Sequence, residues 1–264
     1  MDSLPVDTDR RFSGLERIYG VGGATTIRGS HVVIVGLGGV GSWAAEALAR
    51  SGVNSITLID MDHVSESNIN RQIQAHSHTL GMAKITAMQE RIALINPQCQ
   101  VHCMDAFVDS DNFQTLLPSG VNAVIDACDQ VSAKTAMAQW SRTHNAHFIA
   151  VGAAGGKRET YCIDIADISA VTHDPLLAQV RYQLRKHHGA PKEGRKMGIA
   201  CVFSKEPVMS PDPSCALQSD GSLNCHGYGS LVTVTASFGM SAAGWVINEI
   251  YKKFQRELKN NAII

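Results

Sequence analysis

The apolar positions of this chain fall into short runs separated by longer stretches of helical spacing. His31 to Val35 and Ser55 to Ile59 are brief, rich in β-branched residues and bounded by turn residues, which predicts buried strands. Ser42 to Arg50 between them reads as a helix. His78 to Ile95 places Leu80, Ile85, Met88, Ile92 and Ile95 at helical spacing and stops at Asn96-Pro97, predicting a second helix. The alternation continues with a strand over 100–107, a helix near 111–117, a strand over 122–125, a helix over 131–144 and a strand over 147–151. Strands and helices that alternate in this way build a parallel, doubly wound sheet with ligands at the carboxyl ends of its strands. The expected fold is therefore α/β, with a mostly parallel sheet of that kind.

Beyond Gly155 the pattern changes. A strand over 161–165 and a helix over 175–188 precede a Pro-, Gly- and Ser-rich segment, 189–229, which reads as a long crossover loop. The last helix is expected over 231–253. The chain thus divides into 1–155, with an N-terminal helical arm from Arg11 to Tyr19 before the turn-rich Gly20 to Gly23, and a C-terminal extension, 156–264, packed on the same domain. Residues 227–248 carry no charge and are long enough to cross a bilayer. Thr233, Thr235, Ser237, Gly239, Ser241 and Gly244 dilute that run, and small residues allow helices to pack closely. A buried interface helix is expected there rather than a membrane span.

Candidate chemistry concentrates between residues 36 and 84. Gly36, Gly38 and Gly41 form G-x-G-x-x-G, with Gly39 inside it, directly after a predicted strand and before a predicted helix, the context of a nucleotide loop in a Rossmann-like domain. Its helix would offer free N–H groups to a phosphate. Asp60, about 20 residues on at the end of the next strand, suits ribose hydroxyls. Asp62, Asn70, Arg71 and Gln72 follow, and Lys84 lies in the first turn of a helix, where the dipole disfavours an unneutralised lysine. Such a concentration of amides and cations suits a triphosphate and is more than a nicotinamide dinucleotide needs. Asp126 and Asp129 reach the same sheet edge, and hard oxygen ligands there suit magnesium held together with ATP.

Composition narrows the partners. The chain has 264 residues, 18 % of them charged, and a net charge of −1. That excludes a strongly basic DNA-binding protein, so any RNA contact must come from a local patch. Arg181, Arg185, Lys186, Lys192, Arg195 and Lys196 form the one basic cluster offered for it, and a phosphate contact there would be salt-sensitive. Seven scattered cysteines without a C-x-x-C pair, and no signal peptide, fit reduced thiols and a cytoplasmic location.

Read in order, G-x-G-G-V-G-S at 36–42, D-x-D-x-V-x-x-S-N-x-N-R-Q at 60–72, G-x-x-K at 81–84 and D-x-x-D at 126–129 resemble the ubiquitin-activating-enzyme-like family of ATP-dependent adenylating enzymes. Within it, the opening segment from Arg11 to Gly20, Cys201 to Ser204, and Asn224-Cys225 are most similar to the bacterial tRNA threonylcarbamoyladenosine dehydratases. The missing C-x-x-C pairs depart from relatives that bind a structural zinc and activate sulfur-carrier proteins. The resemblance implies ATP and magnesium as cofactors and a homodimer in which an N-terminal arginine, Arg17 ahead of Arg11, reaches the partner's ATP. It assigns Arg71, Lys84 and Asp129 to catalysis, Asp129 as the magnesium ligand, and raises Cys225 as an acyl acceptor. It also brings in tRNA as substrate and a cysteine desulfurase or sulfur acceptor as a docking partner. Three other readings stay open on the residues: adenylation of a ubiquitin-like or sulfur-carrier C-terminus, an NAD-dependent dehydrogenase, and a non-catalytic scaffold.

Overall fold

The computed structural model describes residues 7–192, 194–212, 214 and 228–261. The chain begins with helix α1 (Thr8–Arg28), capped by the Asp7 side chain, which accepts from the Arg10 N–H at 2.9 Å. Gly20, at φ 73°, breaks it into two helical pieces, so the glycine-rich turn expected over 20–23 is a single-residue kink and helix resumes to Arg28. Strand β1 (His31–Val35) and strand β2 (Ser55–Ile59) follow at the boundaries the apolar pattern sets, and helix α2 (Gly41–Arg50) between them starts one residue earlier than expected.

Helix α3 (Lys84–Ile95) starts six residues later than its periodicity implied. Gly81 sits at φ +81°, which stops helix growth toward Leu80 and leaves that leucine 41 % exposed. Lys84 is therefore the first residue of the helix. Next come β3 (Gln100–Met104), α4 (Phe113–Leu116), β4 (Ala123–Asp126), α5 (Val131–Ser141) and β5 (His147–Val151). Strand β6 (Ile163–Asp167) leads through a short 3-10 turn to α6 (Pro175–His187), whose Asp174 cap and Pro175 are strong helix-start signals.

Strand β7 (Ala200–Ser204) corrects the long-loop expectation for 189–229. Its run Cys201-Val202-Phe203 is buried and pairs with β5 in parallel and β6 in antiparallel. Helix α7 (Val232–Asn261) then continues eight residues past its expected end. No helix among the described residues is long and apolar enough to cross a membrane.

The seven strands form one sheet in the order β3-β2-β1-β4-β5-β7-β6, parallel except for the edge strand β6. Chain order runs outward in opposite directions from β1 and β4, and a crevice opens at the carboxyl ends of those two strands. Val35 is in register with both Ile59 and Asp126, so Gly36, Asp60 and Ala127 emerge side by side. One core lies between the sheet and α2, α3 and α7, and a second lies on the opposite face beneath α5 and α6. Helix α7 reaches backbone contact with the nucleotide loop at Gly239, where a Cβ would come within 2.3 Å of the Val40 carbonyl oxygen.

Candidate active site

The loop between β1 and α2 needs its glycines for different reasons. Gly36 takes φ +87° and lies against the Ala127-Cys128 backbone, where a Cβ would meet Ala127 atoms at 3.0 Å. At Gly41 a Cβ would come within 1.8 Å of the Gly36 carbonyl oxygen. Gly38 faces open space. The N-terminus of α2 has no side-chain cap; the Ser42 and Trp43 N–H groups donate to the Gly38 and Val40 carbonyls at 3.2 and 3.1 Å, and the positive end of the helix dipole suits a phosphate at the crevice.

Asp60 borders this loop. One carboxylate oxygen accepts from the Leu37 N–H at 2.5 Å and the other from the Asp62 N–H at 2.8 Å. Burial pushes its carboxyl above the usual aspartate range, against the opposing pull of Lys84 and these hydrogen bonds. Lys84 is buried and pairs with Asp62 at 2.7 Å, while the Asp62 side chain stays 54 % exposed. The ammonium thus stands at the crevice with a partner that water, or a phosphate, can replace.

Arg71 donates to the Ser67 carbonyl at 2.9 Å and to Asn70 Oδ1 at 3.0 Å, and Asn70 in turn donates to the Ser230 carbonyl at 3.2 Å. The arginine stem fills the space beside Gly39, where a Cβ would lie 3.0 Å from its Cγ. Asn70 therefore orients the guanidinium. Gln72 is buried and accepts from Gln74 at 3.3 Å, and Gln74 also donates to the Leu37 carbonyl at 3.0 Å. Gln72 thus acts on the loop through Gln74. Sequence reasoning passed over both Gln74 and Trp43, whose indole N–H donates to the Arg71 carbonyl at 2.9 Å. The signal for Gln74 was its polarity at the same parity as Gln72; nothing in the sequence singled out Trp43.

The two aspartates after β4 part company. Asp129 is exposed. Asp126, expected among the nucleotide contacts, is instead fully buried and paired at 2.8 Å with the equally buried Lys134. Its carboxylate faces the core at the end of the central strand β4, where an unpaired charge would be prohibitively costly, and Lys134 supplies the partner.

Arg17 is exposed on α1, whereas Arg11 donates to the Ile95 carbonyl at 2.8 Å and ties α1 to the end of α3. The basic cluster also divides. Arg181 corrects the RNA-contact expectation: its guanidinium donates to the Ile168 and Val171 carbonyls at 2.9 and 2.8 Å and serves the fold. Arg185 reaches the Pro191 carbonyl at 3.3 Å and Lys186 sits 5.5 Å above the Tyr182 ring, while Lys192, Arg195 and Lys196 are exposed. Cys225 lies outside the described residues.

The glycine cradle, the uncapped helix end, Asp60, Arg71 and Lys84 together fit a nucleoside triphosphate. Among the described residues no cluster of three or more His, Cys, Asp or Glu could hold a metal by itself. A magnesium ion there fits only as one that takes most of its oxygen ligands from phosphates and water, with a single carboxylate such as Asp129.

A nucleotide loop at the switch point of a doubly wound sheet, with an arginine and a lysine over it and an aspartate across it, is the arrangement of an ATP-using adenylating protein. The ThiF family pattern matches residues 9–263, and the chain belongs to that family. It is 40 % identical to the tRNA threonylcarbamoyladenosine dehydratase of Haemophilus influenzae, over 93 % of this chain and 95 % of that protein. Among solved structures it is similar to Escherichia coli tRNA N6-threonylcarbamoyladenosine dehydratase, TcdA, in complex with ATP, with a TM-score of 0.86, 38 % identity, and 96 % of this chain and 99 % of the other covered. The same enzyme in complex with AMP matches equally, at a TM-score of 0.86 and 39 % identity over 97 % of this chain and 100 % of the other.

Proposed function

We propose that the protein is an ATP-dependent tRNA threonylcarbamoyladenosine dehydratase, closing a ring on the modified adenosine at position 37 of its tRNA substrates. The observation that carries this reading is the joining of a glycine-lined crevice, bordered by Asp60, Arg71 and Lys84, to near full-length similarity with enzymes of that name, one of them bound to ATP. The side-chain carboxylate of the nucleoside attacks the α-phosphate, giving an acyl-adenylate and pyrophosphate. Its own carbamoyl group then attacks the activated carbonyl and AMP leaves, so the net change is loss of one water. That second step is intramolecular and has a large effective molarity, which makes a covalent relay through Cys225 unnecessary.

Gly38 and the N-terminus of α2 cradle phosphate, and Asp60 holds the ribose hydroxyls. Arg71, oriented by Asn70, and Lys84, released from Asp62, offset charge on the phosphates as pyrophosphate departs. Magnesium, held by Asp129 together with the phosphates, would neutralise further charge when bound. The chain acts as a cytoplasmic homodimer in which Arg17 reaches the partner's crevice. The apolar side chains Ile18 and Val21, 73 % and 68 % exposed on the same helix, support a covered α1 surface. Lys192, Arg195 and Lys196 are the basic residues left free to meet tRNA phosphates, and a sulfur-acceptor protein is a candidate docking partner.

Incubation of the purified protein with ATP, magnesium and tRNA carrying threonylcarbamoyladenosine, followed by mild nucleoside mass spectrometry, tests this. The expected result is loss of one water from that nucleoside with AMP formed, and inactivity of Asp129→Ala. Absence of both products would sink the assignment.

A further inference from the structure

The ion pair under the β4 edge has more structure than a neutralised charge needs. Asp126 Oδ1 gathers three donors: Lys134 Nζ at 2.8 Å, the Cys128 N–H at 3.2 Å and the Cys128 thiol at 3.1 Å. Lys134 Nζ also donates to the Asp126 main-chain carbonyl at 3.2 Å. One ammonium from the first turns of α5 thus fixes both the backbone and the side chain at the end of β4. Asp129 lies three residues past Asp126, and the intervening Ala127-Cys128 backbone is also the surface against which Gly36 rests. Replacing a buried ion pair by apolar residues of similar volume is often neutral or stabilising, so stability alone is weak grounds for the pair and the geometry it imposes is the stronger one.

We propose that Lys134 is a positioning residue: by holding Asp126 it sets the Ala127-Cys128 turn that aims Asp129 at magnesium and the ATP phosphates. This rests on the assignment of Asp129 made above. Lys134 touches neither nucleotide nor metal. Its effect is read in how much magnesium tightens ATP.

The test is calorimetric titration of ATP into the full chain with and without magnesium, alongside thermal denaturation. In Lys134→Met the melting temperature falls, because Asp126 is left buried and unpaired. In Asp126→Asn/Lys134→Met no charge is buried, so the melting temperature recovers, yet the tightening of ATP by magnesium remains weaker by about tenfold, the effect of losing a group that orients a metal ligand. Affinity for ATP alone falls much less in both, because Gly36 is also held by its N–H to the Ile59 carbonyl at 2.9 Å. Full magnesium tightening in the double variant would overturn the role of Lys134 and leave the pair purely structural. Full tightening in Asp129→Asn would instead overturn the assignment of Asp129, so the two failures are distinguishable.

Discussion

Lys84 and Lys134 make the same bond in different surroundings. Each is a buried lysine paired to an aspartate, at 2.7 and 2.8 Å, but Asp62 is 54 % exposed whereas Asp126 is 0 % exposed. The first pair can be broken at low cost, because Asp62 is hydrated when the contact opens and a phosphate oxygen can take its place beside Lys84. The second cannot, because each charge would face a low-dielectric core alone. Exposure of the partner, rather than bond length, separates a lysine available to substrate from one that builds the site. Burial works to lower the Lys134 ammonium, yet the adjoining Asp126 carboxylate holds it above the ordinary lysine range.

The sharpest way to break this comparison is on stability. Lys134→Ala should cost about 3–5 kcal/mol in chemical denaturation, as expected when one partner of a buried pair is removed. Lys84→Ala should cost no more than about 1–2 kcal/mol, since Asp62 remains hydrated. On activity the order reverses. Lys84→Ala should lower kcat/KM for AMP release by about 10²–10³, the loss typical of one preorganised charge stabiliser. Equal stability losses would show that both lysines are structural.

The nucleotide loop gives the next largest effect. Gly41→Ala drives a Cβ onto the Gly36 carbonyl oxygen and should cost about 1–3 kcal/mol with loss of ATP binding, while Gly38→Ala, facing open space, should leave stability unchanged and raise the KM for ATP. Calorimetry with ATP separates the two.

Acidity provides a smaller probe. Asp60 has a raised pKa, so its ionised form is less favourable in the folded protein than in the unfolded chain. That penalty is present above the folded-state pKa and is relieved as pH falls through it toward the ordinary value of 3.8. Ribose binding to the carboxylate should weaken over the same window, seen as a KM for ATP that rises on acidification before an ordinary aspartate would titrate. The same acid limb in Asp60→Asn would assign it to another group. Smallest of all, Lys192→Ala, Arg195→Ala and Lys196→Ala combined should weaken tRNA binding severalfold and flatten its salt dependence, by about one unit of slope per lost phosphate contact. Arg181→Ala should reduce stability and leave that slope alone.

The motifs from 36 to 84 were legible because each local rule there serves the site: glycines where the backbone turns, an aspartate at a strand end, a lysine at a helix start. Strand β7 was missed because one short apolar run amid Pro, Gly and Ser resembles loop, and only pairing with β5 and β6 makes it a strand. The start of α3 was misplaced because the spacing of Leu80 fits a helix that Gly81 forbids. Arg181 looked like its basic neighbours because sequence carries charge but not the carbonyls that a guanidinium meets.

The sequence by itself determined the α/β class, the glycine loop after β1 and the strand-end and helix-start places of Asp60 and Lys84, because those depend on local periodicity and residue chemistry. Only the tertiary structure decided that Asp126 faces Lys134 while Asp129 faces solvent, that Gln72 acts through Gln74, and that α7 presses Gly239 against the loop. Those outcomes rest on what each side chain meets across the fold, and burial, which sets the cost of every charge, exists only once distant segments have packed.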